Sequence, residues 1–239
     1  MPAFFDDISS FYGTGERNVS GQTLEEFLEL YDPYKYKNPC CTTDAVVFSY
    51  REKLDSTLTG LKLLLVKRSN HPSIGFWALP GGFTELQEDI DQTARRELEE
   101  ETGVRGIAVE QFACYGEVRR DPRARIITTA YMALTEESAV TVKAGDDAAD
   151  AAWFNIRMET EEEHEDTDSI IRTYRLYFEN TEQNITVQAS VEHRERKGII
   201  KERSFHVIER GAIAADHAAI IAQAITILKS RLCCCSVVS

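Results

Sequence analysis

Residues 81–104, Gly-Gly-Phe-Thr-Glu-Leu-Gln-Glu-Asp-Ile-Asp-Gln-Thr-Ala-Arg-Arg-Glu-Leu-Glu-Glu-Glu-Thr-Gly-Val, read as a loop followed by a helix whose acids lie on the wrong side for solvent. Asp89, with Gln92 three places on, signals the helix start, and Gly103 signals its stop. On a 3.6-residue wheel Ile90, Ala94, Glu97 and Glu101 form one stripe, with Glu100 at its flank and Glu99 opposite. A solvated salt face would carry its charges opposite Ile90 and Ala94, as Glu99 does. Closely spaced carboxylates turned inward repel one another and lose hydration unless a cation sits among them. Oxygen donors at this density suit a hard ion, Mg²⁺ or Mn²⁺, which in turn suits a phosphate-bearing substrate.

These residues carry a family resemblance. Gly82, Glu88, Arg96, Glu97, Leu98, Glu100, Glu101, Gly103 and Val104 occupy every fixed position of the Nudix box, G-x5-E-x7-R-E-U-x-E-E-x-G-U with U aliphatic. A charged surface helix ending at a glycine would match Gly82 and Glu88 only by accident. The resemblance runs from about Cys40 to Phe154. It resumes at residues 214–221, Ala-Ala-Asp-His-Ala-Ala-Ile-Ile, which are similar to the start of the family's last helix. It implies an α+β fold, a Nudix-type α/β/α sandwich with a mixed sheet and a β-rich insertion before the last helix.

The rest of the chain fits such a plan. At 239 residues, 43% hydrophobic and 28% charged, it has ample core for independent folding. The pattern predicts an N-terminal arm (1–39) with a short helix at 22–31, ended by Tyr31-Asp32-Pro33. A Nudix domain follows (40–155), with strands at 44–50, 61–67, 107–118 and 124–134, a short strand-like piece at 139–142, and a last strand after Asp146. The acid-rich run 157–169 reads as a solvated loop. The insertion (156–211) has strands at 174–178, 185–191 and 204–208. Asp216 caps a final helix through about Leu232 within the last segment (212–239).

A net charge of −13 opposes a nucleic-acid surface spread over the chain, because phosphate backbones repel it. No apolar run approaches the ~20 residues that span a bilayer, and the acidic N-terminus is unlike a signal peptide, so the expected location is cytoplasmic with no membrane partner. None of the six cysteines has Cys-x-x-Cys spacing, which opposes a zinc site and a disulfide framework. The Cys233-Cys234-Cys235 tail reads as reduced and frayed.

The resemblance implies a hydrolase acting on a nucleoside diphosphate linked to another moiety, with Mg²⁺ or Mn²⁺ as cofactor. Carried over, Glu97, Glu100 and Glu101 are metal ligands and one of them a possible base. Gly82 adds its backbone carbonyl, Arg96 orients a box glutamate, and Glu88 braces the loop. Glu117, Asp146 and Asp147 are candidates for an extra acid, or solvated turn residues. The stretch Arg120-Asp121-Pro122-Arg123 is similar to that of ADP-ribose pyrophosphatases, which implies ADP-ribose as a nucleotide-derived substrate, with AMP and ribose 5-phosphate as products. Arg120 and Arg123 bind phosphate in that reading, or else form a charged hairpin turn. Phe83 and Tyr115 stack on a base or fill the core. Many family members are dimers, and the arm helix suits that role.

Two other readings stand beside it. A ligand-sensing transcription regulator is the first. The complete acid set and the strand-rich C-terminal half oppose it, while the basic cluster His193, Arg194, Arg196, Lys197, Lys201 and Arg203 leaves it room. The second is removal of non-canonical nucleoside triphosphates, which differs only in the base pocket.

Overall fold

The computed structural model of the protein describes residue 4, residues 7–142 and residues 148–235. The chain divides into two units, Met1–Pro39 and Cys40–Ser239. In the first, helix α1 covers Leu24–Leu30. A capping box fixes its start: the Thr23 N–H donates to the Glu26 carboxylate at 2.8 Å, and the Thr23 hydroxyl accepts the Glu26 N–H. Tyr31 turns extended just ahead of Asp32-Pro33 and ends it.

The second unit contains strands β1 (Cys40–Tyr50), β2 (Lys62–Arg68) and β3 (Trp77–Ala78), then helix α2 (Ile90–Thr102). Strands β4 (Glu110–Tyr115), β5 (Ile126–Glu136), β6 (Ala148–Glu165), β7 (Ser169–Asn180), β8 (Ile185–Arg196) and β9 (Arg203–Glu209) follow, and helix α3 (His217–Cys235) closes the unit. All nine strands form one mixed sheet in the order β4-β5-β1-β2-β6-β7-β8-β9, with β3 beside β2. Strands β1 and β5 are parallel and the remaining pairs antiparallel.

Side-chain alternation assigns the two faces of the sheet to the two helices. Ala45 and Val47 of β1, Leu64 of β2 and Tyr131 of β5 share a core with Ala94 and Leu98 of α2. Val46, Phe48, Leu63 and Met132 belong instead to the core that holds Ile220, Ile221 and Ala224 of α3. The central strands are thus covered on both faces, and Ala45 to Phe48 read as an unbroken apolar run for that reason. The result is an α/β/α sandwich.

The acid run departs most from expectation. Residues 157–165 are strand, not solvated loop, and β6 crosses residue 156 without a break, so the expected insertion continues the sheet. Its acids are matched by cations on β7: Glu163 pairs with Arg172 at 2.6 Å and Glu161 with Arg175 at 2.9 Å. Opposite charges across neighbouring strands stabilise the pairing. The turn shrinks to Asp166–Asp168, where Asp166 Oδ1 accepts the N–H groups of Asp168 and Ser169. The expected strand at 139–142 is absent; a 3-10 turn covers Glu137–Ala139 instead. Asp146 and Asp147 lie outside the described residues. Among the described residues, no helix is long and apolar enough to cross a membrane.

Candidate active site

A double glycine joins β3 to α2, and both positions leave no room for a side chain. A Cβ on Gly81 would stand 1.9 Å from the Thr43 carbonyl oxygen, and one on Gly82 would stand 2.4 Å from the Glu97 carboxyl carbon. The loop is held against β1 by the Ala45 N–H donating to Pro80 O at 2.8 Å and the Thr43 N–H donating to Gly82 O at 2.9 Å. The Gly82 carbonyl is therefore not free, although its second lone pair is. Helix α2 begins where the Asp89 N–H donates to Gln92 Oε1 at 2.8 Å. It stops at Gly103, which is left-handed (φ 71°) and donates its N–H to Glu99 O.

This geometry presents α2 to the loop with its acids inward. Glu101 Oε2 accepts the Gly81 N–H at 2.9 Å. Burial pushes the Glu101 pKa up to about 7; the Gly81 N–H opposes that shift, Glu97 and Asp44 add to it, and Arg68 counters them. Burial also raises Glu97, against the pull of Arg96. Arg96 is the organising cation. It grips Glu88 through Nε–Oε1 (2.7 Å) and Nη2–Oε2 (3.0 Å), reaches Glu97 (2.8 Å) and Glu100 (2.9 Å) through Nη1, and donates to Phe83 O at 3.1 Å. Thr93 adds a hydroxyl bond to Glu88. The Arg96 fork holds the Glu88 carboxyl at about 2, well below the usual range. Loop, Glu88 and helix are locked through this one guanidinium.

A cavity of about 550 Å³ opens over this loop. It is lined by Gly81, Gly82, Phe83, Arg96, Glu97 and Glu101, and by Arg120 and Arg123 from the β4–β5 connection. Arg123 pairs with Asp121 at 2.8 Å and lies 5.3 Å from the Phe83 ring centroid. Phe83 is 44% exposed, so the part of its ring that Arg123 does not cover is open to a ligand. Two expected members stand elsewhere. Glu100 does not line the cavity, because its carboxylate bends back to Arg96 and its side chain is 58% exposed. Tyr115 lies behind the wall, with its hydroxyl donating to Gln223 Oε1 of α3 at 2.6 Å. Arg120 lines the cavity, but its fork holds Asp216 through two 2.9 Å bonds. Asp216 accordingly gives α3 its backbone carbonyl, which accepts the Ala219 N–H, and turns its carboxylate to Arg120 instead of capping.

Two further groups of the site, Asp44 and His217, are not among those expected from the sequence. Asp44 is an acid inside a buried strand, 8% exposed, and that mismatch was the available signal. The Leu79 N–H donates to His217 Nδ1 at 2.8 Å, which places the imidazole proton on Nε2, 3.5 Å from Asp44 Oδ1. Arg120 stands 3.6 Å from Asp44 on the other side. These groups form the deep wall of the cavity.

Fold and site define a class: an α/β/α protein in which a double-glycine loop and the inward carboxylates of one helix share a cavity. A family model described as the NUDIX domain matches residues 42–174, more than half of the chain, and the chain belongs to the Nudix family. It is 38% identical over 118 residues to the ADPR responsive transcriptional repressor NtrR of Acinetobacter baylyi, which covers 48% of this chain and 45% of that one. It is 38% identical over 95 residues to the ADP-ribose pyrophosphatase of Methanocaldococcus jannaschii, covering 40% and 55%. The chain thus spans about half the length of these curated relatives. The crystal structure of a MutT/nudix family protein from Enterococcus faecalis superposes with a TM-score of 0.61 at 27% identity, covering 94% of this chain and 75% of that one.

Proposed function

We propose that the chain hydrolyses a nucleoside diphosphate linked to another moiety, with ADP-ribose as the favoured substrate and AMP and ribose 5-phosphate as products. One observation carries this reading: the desolvated carboxylates of Glu97 and Glu101 open, with the Gly81-Gly82 backbone, into a cavity sized for a small ligand. The names of the two curated relatives, a pyrophosphatase of ADP-ribose and an ADPR-responsive repressor, support the choice of substrate.

The donor set suits a hard divalent ion, Mg²⁺ or Mn²⁺: carboxylate oxygens, like-charged and partly buried, with a backbone carbonyl beside them. Among the described residues, no three His, Cys, Asp or Glu side chains converge as they stand. The contacts above account for that. Arg96 holds Glu97 and Glu100, and the Gly81 amide holds Glu101. Glu97, Glu101 and Gly82 O would hold the ion, with Glu100 joining once released from Arg96. The bound ion supplies charge neutralisation to the diphosphate. The chain's own residues do the rest. Arg123, whose Nε and Nη2 are held by Asp121, offers its remaining Nη1 to a phosphate, and Phe83 the ring face away from Arg123 to a base, while the Glu88–Arg96 lock keeps the loop in place. Hydrolysis adds one water across the P–O–P bridge, leaving a phosphate ester on each product.

The repressor among the relatives favours a second reading, an ADP-ribose-responsive regulator. Against it, part of the basic cluster near β8 and β9 is tied up in ion pairs: Lys197 pairs with Glu165 at 2.7 Å, and Lys201 and Arg203 share Glu195. His193 is buried. A homodimer is the proposed assembly, supported by the exposed apolar Phe27 and Leu30 on α1 and Tyr31 just past its end, and light scattering would test it. A substrate panel in Mg²⁺ and in Mn²⁺, covering ADP-ribose, NADH, diadenosine polyphosphates, sugar nucleotides and oxidised triphosphates, tests the main reading. Turnover of ADP-ribose supports it. A salt-dependent duplex-DNA shift with no turnover of any member would replace it with the regulator.

A further inference from the structure

The two edges of the nine-stranded sheet, β4 and β9, line one cleft. The sheet curls far enough for its first and last strands to meet across a gap, with α3 and the loop before it as floor. The cleft has a volume of about 750 Å³, within the range of small-molecule sites. Phe112 and Tyr115 stand on the β4 side, Phe205 and Val207 on the β9 side, and Gln223 comes from α3.

Its charge runs against that of the chain. In a protein of net charge −13, four arginines (Arg119, Arg120, Arg203 and Arg210) line the cleft against two carboxylates, Glu117 and Asp216. Asp216 is already taken by Arg120, and Glu117 faces His206 at 3.4 Å across the gap. Arg203 uses Nε on Glu195, leaving its terminal nitrogens. Arg210 lies over the Phe76 ring, 5.5 Å from its centroid. The Arg119 guanidinium makes no hydrogen bond or ion pair among the described residues. Like-charged guanidinium groups gathered beside apolar walls repel unless an anion joins them. Planar forks of this kind match phosphate oxygens.

We propose that this cleft is a second binding site, separate from the first cavity, for a phosphate-bearing anion of mononucleotide size. Arg119, Arg203 and Arg210 hold the phosphate, and the aromatic walls flank the organic part. The two cavities share a wall, since Arg120 and Ala215 line both. An anion beside Arg120 competes with Asp216 and Asp44 for its guanidinium, so occupancy is read in the first cavity. The site does not depend on the hydrolase assignment.

The test is calorimetric titration of AMP into the full chain in EDTA, which excludes metal-dependent turnover. The variants are Arg119→Ala/Arg210→Ala, its Lys/Lys counterpart, and Arg123→Ala in the first cavity. Arg119 and Arg210 are exposed, and an unchanged unfolding curve verifies that the fold is kept. One binding component should weaken at least tenfold in the double alanine variant, recover in part with lysine, and persist in Arg123→Ala. Inorganic phosphate should compete with AMP for that component. Equal AMP binding by wild type and the double alanine variant, a loss seen only with Arg123→Ala, or no competition by phosphate would each overturn the proposal.

Discussion

The Glu101 carboxylate accepts the Gly81 amide N–H at 2.9 Å, so the last turn of α2 and the first residue of the loop are fixed to each other. That bond places a half-buried acid against the loop in the cavity lining and sets how closely helix and loop approach. The two glycines should therefore respond differently to substitution. Gly81→Ala drives a methyl group into the Thr43 carbonyl, which belongs to rigid backbone, and should cost about 1–3 kcal/mol or more. Gly82→Ala meets the Glu97 carboxyl group, a side-chain end that can shift, so it should impair turnover more than stability. Urea unfolding beside a turnover assay separates the two effects.

Arg96 holds Glu88, Glu97 and Glu100 together. Arg96→Ala leaves partly buried carboxylates without their cation, and a loss of about 1–3 kcal/mol is expected. Arg96→Lys keeps the charge but cannot reproduce the two-pronged contact with Glu88, so it should recover only part of the loss. Recovery of full stability by lysine in urea unfolding would show that charge alone matters.

His193 on β8 should make stability depend on pH. It is 2% exposed, its ring lies 4.2 Å from that of Phe205, and its Nε2 has no partner among the described residues. Burial pulls its pKa down to about 4, with Arg172 adding to the shift and Glu195 opposing it. The unfolded chain takes up the proton below about 6.5, the folded protein only below about 4. The folded state thus loses stability as pH falls through that window, by up to about 3 kcal/mol. Urea unfolding at pH 7, 6 and 5 should show wild type losing more than His193→Phe. Parallel losses in the two proteins would remove His193 from the effect.

The Arg120–Asp216 clamp joins the β4–β5 connection to the start of α3. Asp216→Asn frees the Arg120 fork and leaves Asp44 and His217 without that restraint. Turnover should fall by about tenfold or more, with an accompanying change in KM, since wall position governs how substrate sits. Steady-state kinetics reads both, and unchanged values would make the clamp purely structural.

What sequence revealed follows from the range of the interactions involved. The caps, stripe and stop of α2 were legible because Asp89, Gln92 and Gly103 act within one helix turn of the residues they fix. The course of β6 through its acids was not, because Arg172 and Arg175, which match Glu163 and Glu161, lie on the next strand. Glu97 on the stripe and Glu100 at its flank were both expected as ligands; Arg96 Nη1 bonds both, yet the Glu97 side chain is 15% exposed and that of Glu100 58%, a difference that the flank position foreshadowed. Tyr115 and Arg120 carried a ligand-binding appearance in sequence. Their partners, Gln223 and Asp216, stand roughly a hundred residues away and could not be paired with them from spacing alone.

The most direct measurement compares ADP-ribose turnover in Mg²⁺ by wild type and by Glu101→Gln, with unfolding curves for both. The substitution keeps size and an oxygen facing the Gly81 amide while removing the negative charge. Wild type should yield AMP and ribose 5-phosphate, and the variant should lose about 100-fold or more in turnover while its fold stays at least as stable. Near-wild-type kcat in Glu101→Gln, or no cleavage of ADP-ribose by wild type in either Mg²⁺ or Mn²⁺, would contradict this reading.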